Sequence, residues 1–468
     1  MERGGVVTRN TLLTLFVWSV VLTAAAFAAD TDSAAAGGAD LGAQVDAAQA
    51  RLDAAQKRVD ELEKKVGAME GSLGATRAQA GDLSSQLAGL EEKARATGEA
   101  KPAVQFVPYG QLKVDVIHDN AQMNSTDDGA YVLQEKPGFA NDRQFGITVR
   151  QTTFGVNILT PDVWGCKSRG KIEMDFYGQA TVENKETPRL RYAYWELVNP
   201  TWSVLVGQAQ DVFGPLAANT VNRPKLDNSG NIGYRRPMVR YEKLFKLPDE
   251  KLVQMDFALA RMTGGTVVSS SSLDDAGSDA GWPLVESRAG FCIPTKFKRA
   301  AAIGVGGHIG QEEMNPTAGT PPVVVSGHGA MFMTYCGVID WTTPLADKID
   351  ISGEFFKGRN LDSFQGGIGQ GVNTTLGVPI DAIGGWAQLQ YRPVKAWTFD
   401  IGGGIDDPEN SDLNAGDRGR NATCFANAIY GFSDKFSVGV EAAFIRTDYL
   451  AGPDGDNVRV QAAAMYKL

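Results

Sequence analysis

Beyond Lys101-Pro102 the chain alternates apolar and polar residues with a period of two, run after run, to its end. Gly165 to Tyr177 shows the pattern most clearly. Its even positions, Cys166, Ser168, Gly170, Ile172, Met174 and Phe176, are small or apolar. Its odd positions, Lys167, Arg169, Lys171, Glu173 and Asp175, are all charged. Side chains on a strand alternate faces, so the segment sets an apolar face against a charged one. In a soluble sandwich the charged face meets bulk water. In a membrane β-barrel the apolar face meets lipid and the charged face lines a polar lumen. Alternation alone leaves both open.

The connections discriminate. Strand-like runs cover 106–118, 147–160, 165–177, 188–198, 201–212, 234–246, 251–262 and 284–293. They continue through 299–311, 326–341, 347–358, 380–392, 395–405, 420–431, 434–447 and 457–468. That makes about sixteen, each long enough to cross a bilayer at a tilt. Short turns such as Pro161-Asp162-Val163-Trp164, Asn199-Pro200 and Pro393-Val394 alternate with long loops such as 119–146, 213–233 and 359–379. Even strand number with this short–long rhythm is the signature of an outer-membrane barrel, short turns on the periplasmic side. A soluble sandwich has no reason to keep it. Trp164, Trp195, Trp202, Trp341, Trp386 and Trp397 mostly fall near expected strand ends, where an interfacial girdle would hold them. Mean hydropathy is only −0.19, as expected when alternate residues alone need be apolar.

Residues 1–29 run from Arg3 and Arg9 through an apolar stretch, Leu12 to Val21, to Ala26-Phe27-Ala28. This order reads as a secretory signal peptide cleaved near Ala28 or Ala29. A small, polar lead-in spans 30–40. From Leu41 to about 100 a heptad holds, with Leu62, Leu83 and Leu90 at d and Leu52, Val59 and Val66 at a. Such a seam needs a partner, and the simplest is another copy of the chain. The expected fold is therefore an all-β transmembrane barrel of about sixteen antiparallel strands over 104–468, preceded by an α-helical, periplasmic coiled coil.

Cys166, Cys292, Cys336 and Cys424 form no CxxC pair, and His118, His308 and His328 do not sit at zinc-ligand spacing, so no metal or other cofactor is expected. Acidic clusters such as Asp127-Asp128 and Asp406-Asp407 lack a complete calcium-loop motif and read as solvated loops. Net charge −10 argues against a nucleic-acid partner. His328 beside Ser326 is the one local hint of a nucleophile and base, too little to suggest an enzyme.

Candidate pore-lining residues follow from the lumen face. Strand three carries Lys167, Arg169 and Lys171 with Glu173 and Asp175, and its neighbour carries Arg189 and Arg191. The 213–233 loop and the strand after it add Arg223, Lys225, Arg235, Arg236 and Arg240. If that loop folds into the barrel, these bases can ring a passage and attract oxyanions. If Glu173, Asp175 and Glu196 pair with them, the wall conducts without selectivity.

The stretches GKIEMDFYG (170–178), RLRYAYWEL (189–197), VLVGQAQDVFG (204–214) and RRPMVRYE (235–242), in this order, resemble the DcaP-like porins. Tyr192 stands where that family usually has His, and Gln208-Ala209-Gln210-Asp211 replaces its Gln-Thr-Trp-Ser run. The closing strand resembles that of outer-membrane proteins, but ends in Leu468 rather than Phe or Trp. The resemblance implies a trimeric sixteen-stranded channel in a Gram-negative-type outer membrane, passing small hydrophilic solutes with dicarboxylates as the substrate class. The rival reading is a structural anchor that links the membrane to the cell wall through the coiled coil.

Overall fold

The computed structural model describes residues 104–135, 142–178, 186–264, 276–297, 299–314 and 330–468. The segments expected over 1–100, and Ser326 and His328, lie outside them. No helix among the described residues is long and apolar enough to cross a membrane, which says nothing of strands.

The chain opens with β1 (Gln105–Asp119), β2 (Gln144–Thr148), β3 (Thr153–Val163), β4 (Cys166–Asp175), β5 (Arg189–Asn199) and β6 (Trp202–Gln210). Next come β7 (Arg235–Lys246), β8 (Leu252–Ala260), β9 (Leu284–Pro294), β10 (Ala300–Met314), β11 (Ala330–Ala346) and β12 (Ile349–Arg359). A two-residue ladder, β13 (Val372–Asn373) with β14 (Val378–Pro379), precedes β15 (Asp381–Tyr391) and β16 (Trp397–Pro408). β17 (Arg418–Gly431), β18 (Phe436–Tyr449) and β19 (Gly455–Lys467) complete the wall. Each long strand pairs antiparallel with the next. β19 returns to β1 in register from Gln111↔Lys467 to Asp119↔Arg459, which closes the sheet. β2 and β3 share one position beside β1, so the closed barrel has sixteen strands.

Two local expectations are corrected. The run 147–160 is not one strand: it is broken at 149–152, where the Thr152 hydroxyl accepts the Lys113 N–H. Ile147 and Phe154 are both exposed on the outer wall although seven residues apart, an odd spacing that an unbroken strand cannot satisfy. The break shifts the phase and turns Arg150 toward Asp127 and Glu186. The first short turn is Trp164-Gly165 rather than 161–164. Both residues have positive φ (51° and 74°), which matches the twist of a two-residue hairpin.

The barrel is apolar outside and charged within. Ile172, Met174, Val239, Val305, Ile401 and Val440 are exposed on the outer wall, while Lys113, Asp115, Glu173, Asp175 and Arg459 are buried inside. That is the arrangement lipid demands. At the short-turn end Trp397 stacks on Phe399 (centroids 5.2 Å apart) beside Tyr430, Phe432 and Phe436, an aromatic belt. Trp386 does not join it: it is buried on the inner face and donates its indole N–H to Glu354.

The hydrophobic clusters also lie inside the barrel. Leu205, Met238, Leu284 and Phe356 of the wall enclose Phe213 and Phe364, which belong to the loops 211–234 and 360–380. Met123, Val132 and Leu226 pack on Trp386, Phe425 and Ile445. Three loops thus fold inward against the wall. The partly exposed cations Arg169, Lys171, Arg189, Arg191 and Arg240 lie on β4, β5 and β7.

Candidate functional site: a basic wall and an inward loop

Loop 211–234 is held along the wall by a row of acceptors on β9, β12, β15 and β18. The Val212 N–H donates to Glu286 on β9, that of Leu216 to Glu354 on β12, and that of Asn219 to Gln388 on β15. Those of Val221 and Asn222 donate to Glu441 on β18. An amide taken inside the barrel needs a partner, and each wall carboxylate supplies one. The strand sequences show these glutamates only as isolated acids among glycines and apolar residues; their partners are more than 70 residues away in the chain. Arg236 anchors the loop's base: it is fully buried and grips Asp211 through two hydrogen bonds of 2.7 and 3.0 Å. It lies 4.2 Å over the Phe364 ring. Arg236 is thus part of the packing, not of the water-facing surface.

The other candidates gather on the opposite wall. Register places Asp175 beside Arg189, Glu173 beside Tyr192 and Arg169 beside Glu196. A bulge between Glu173 and Met174 leaves Arg191 unpaired in the ladder, so Arg191 and Tyr192 both reach lumen residues. Arg191 bonds Glu173 at 2.6 Å and Asp175 at 3.0 Å, and Arg189 bonds Asp175 at 2.6 Å. Lys171 sits 3.3 Å from Glu173 and over the Tyr192 ring at 4.4 Å. The Tyr109 hydroxyl donates to Glu173 at 2.8 Å, and Gly155 makes room, since a Cβ there would collide with the Tyr109 ring. Glu196 takes Arg169 at 2.7 Å and Arg240 at 3.5 Å.

Five cationic side chains, Lys171, Arg189, Arg191, Arg169 and Arg240, therefore share three carboxylates, Glu173, Asp175 and Glu196. Lys225 and Arg235 have no carboxylate within 4 Å among the described residues. Lys225 is exposed to water, with Asp227 foremost and then Arg191 and Arg235 within electrostatic reach. Lys167 is exposed near the short-turn end of β4. Arg223 pairs with Asp128 at 2.6 Å and stacks over Tyr177. Burial, stronger than the pull of Arg223, pushes the Asp128 carboxyl above the ordinary carboxylate range.

His308 is buried, 3.0 Å from the Thr334 hydroxyl and stacked on Phe364. The four cysteines are free, and no group of three His, Cys, Asp or Glu among the described residues is arranged to hold a metal ion.

Comparison with solved structures agrees with the barrel. The outer-membrane channel DcaP of Acinetobacter baumannii superposes with a TM-score of 0.62 at 17% identity, covering 79% of this chain and 99% of that one. The fold is that of the DcaP barrel. OmpF of Salmonella typhi, solved with daunomycin, gives 0.51 at 11% identity over 78% of this chain and 98% of its own. OprB of Pseudomonas putida gives 0.50 at 9% identity, over 78% and 94%. No protein-family model and no curated protein matches the chain.

Proposed function

We propose that the protein is an outer-membrane porin for passive diffusion of small hydrophilic solutes, with a preference for anions such as dicarboxylates. The observation that carries the preference is the imbalance on the water-facing wall, where five cations share three carboxylates and, among the described residues, neither Lys225 nor Arg235 has one within 4 Å. A passage lined by such a surplus concentrates anions and offers hydrogen bonds to their oxygens. The coiled coil over 41–100 joins the subunits of a trimer on the periplasmic side, after removal of the signal peptide.

Planar-bilayer recording tests this reading. Stepwise conductance with a reversal potential toward anions in a potassium chloride gradient supports it, and an electrically silent barrel overturns it in favour of the anchor. Deleting residues 30–100 tests the coiled coil: an unchanged oligomer would show that it does not set the assembly.

A further inference from the structure

We propose that the first stretch of β1, with Leu159 and Trp164 of the β3–β4 hairpin, is a docking surface for a second copy of this chain. The inference rests on the oligomer in the porin reading and gives the barrel a contact of its own within it.

β1 runs past the strand that closes the barrel on it. Gln111 to Asp119 pair with β19, whereas Gln105 to Gly110 pair with β3 alone. That stretch, about 20 Å of strand, overhangs the end of β19 at the short-turn side and carries a free edge. It is apolar on both faces. Phe106, outward and in register with Ile158, is 67% exposed. Val107 and Leu159, on the face that Tyr109 turns to the lumen, are each 44% exposed. A bilayer meets the outward face only, so apolar groups exposed on both suit a protein partner.

Trp164 supplies an independent argument. It stands at the tip of the β3–β4 hairpin with a φ of 51° and is 90% exposed. Such a turn ordinarily takes Asn, Asp or Gly. A bulky aromatic held there at a conformational cost, almost wholly in water, gains nothing from its own barrel, and strain of this kind gathers at functional sites.

The edge itself decides how the partner docks. The Gly110 carbonyl accepts the Leu468 N–H on the β19 side, and the Lys113 N–H donates to Thr152 on the other. Backbone groups alternate sides along a strand, so Phe106 and Pro108 turn theirs to the free edge. Proline has no N–H to give, and at an edge it blocks the addition of another strand. The partner therefore packs by side chains and does not extend the sheet. The chain ahead of β1 names it. The heptad seam over 41–100 needs another copy of itself, and the link from residue 100 to Val104 reaches at most roughly 14 Å. Copies joined by that seam begin their barrels side by side, overhang to overhang.

The test is photo-crosslinking of the full chain in outer-membrane vesicles. Irradiated Phe106→p-benzoylphenylalanine is expected to give a product of twice the monomer mass on a denaturing gel. The same replacement of Ile401, exposed on the lipid-facing wall, should give lipid adducts of monomer mass. Added to the Phe106 variant, Trp164→Ser should cut the crosslink yield about fivefold, as for loss of an aromatic anchor, and Trp164→Phe should preserve it. Monomer-mass products alone from position 106, in a preparation that migrates as an oligomer, overturn the surface and leave the oligomer standing. A yield unchanged by Trp164→Ser overturns the place of Trp164 in it. A wild type that migrates as a monomer overturns both surface and oligomer. None of these readouts uses conductance, so they are separate from the electrical test of the porin.

Discussion

The imidazole of His308 lies stacked on the ring of Phe364, with centroids 3.9 Å apart and planes 15° from parallel. His308 belongs to β10 and Phe364 to the inward loop 360–380, so this contact joins wall to loop. Phe213 of the inward loop 211–234 meets both rings, at 4.7 and 5.7 Å. Three aromatic rings thus lock two loops to one side of the lumen.

Replacing Phe364 by alanine removes this lock and the ring beneath Arg236. A buried phenylalanine truncated to alanine costs about 3–5 kcal/mol. Urea unfolding in detergent, followed by heat-modifiable gel migration, should show a loss of that order. Single-channel conductance should rise, because loop 360–380 loosens. An unchanged conductance would show that this loop does not border the passage.

Arg236→Met leaves Asp211 inside the barrel with no cation bonded to it, and Glu286 loses its neighbour at 3.9 Å. Breaking one side of a buried pair costs about 3–5 kcal/mol, more than replacing both sides by apolar groups. The double variant Arg236→Met with Asp211→Leu should therefore unfold at higher urea than the single one. Equal midpoints would refute the buried-charge account.

Glu173 accepts hydrogen bonds from Arg191 and Tyr109 and an ion pair from Lys171. Glu173→Gln keeps the shape and removes the negative charge, which unmasks two cations on the wall. The reversal potential should move toward anions, by about twofold in permeability ratio for a charge roughly 10 Å from the ion's path. An unchanged reversal potential would place Glu173 outside the conducting field.

Cys424 lies mid-strand in β17, exposed beside the outward Phe444. In liposomes a lipophilic maleimide should label it, a charged membrane-impermeant maleimide should not, and Cys424→Ala should remove the lipophilic label. Labelling by the charged reagent that disappears in Cys424→Ala would place this wall in water.

The strands were legible because lipid imposes a simple rule on each of them. Every second residue of β4, β11 or β18 must be apolar whatever its neighbours are, so the pattern is written locally. The one strand that broke the rule, β2 with β3, carried its own sign in the odd spacing of Ile147 and Phe154. Trp386 was misplaced for the complementary reason. An indole that donates to Glu354 inside the barrel looks in one dimension like one at the membrane boundary.

The sequence by itself determined the closed sheet, its count of strands, the rhythm of turns and loops, and which face of β4 carries charge. Only the tertiary structure decided how those charges are spent. Whether Glu173 answers Lys171 or Arg191 depends on cross-strand register and on a one-residue bulge. Whether loop 211–234 turns inward depends on glutamates on β9, β12 and β18, far along the chain. Burying apolar residues against lipid is a condition each strand meets alone. Pairing a charge requires two strands in one register, and that exists only once the barrel has closed.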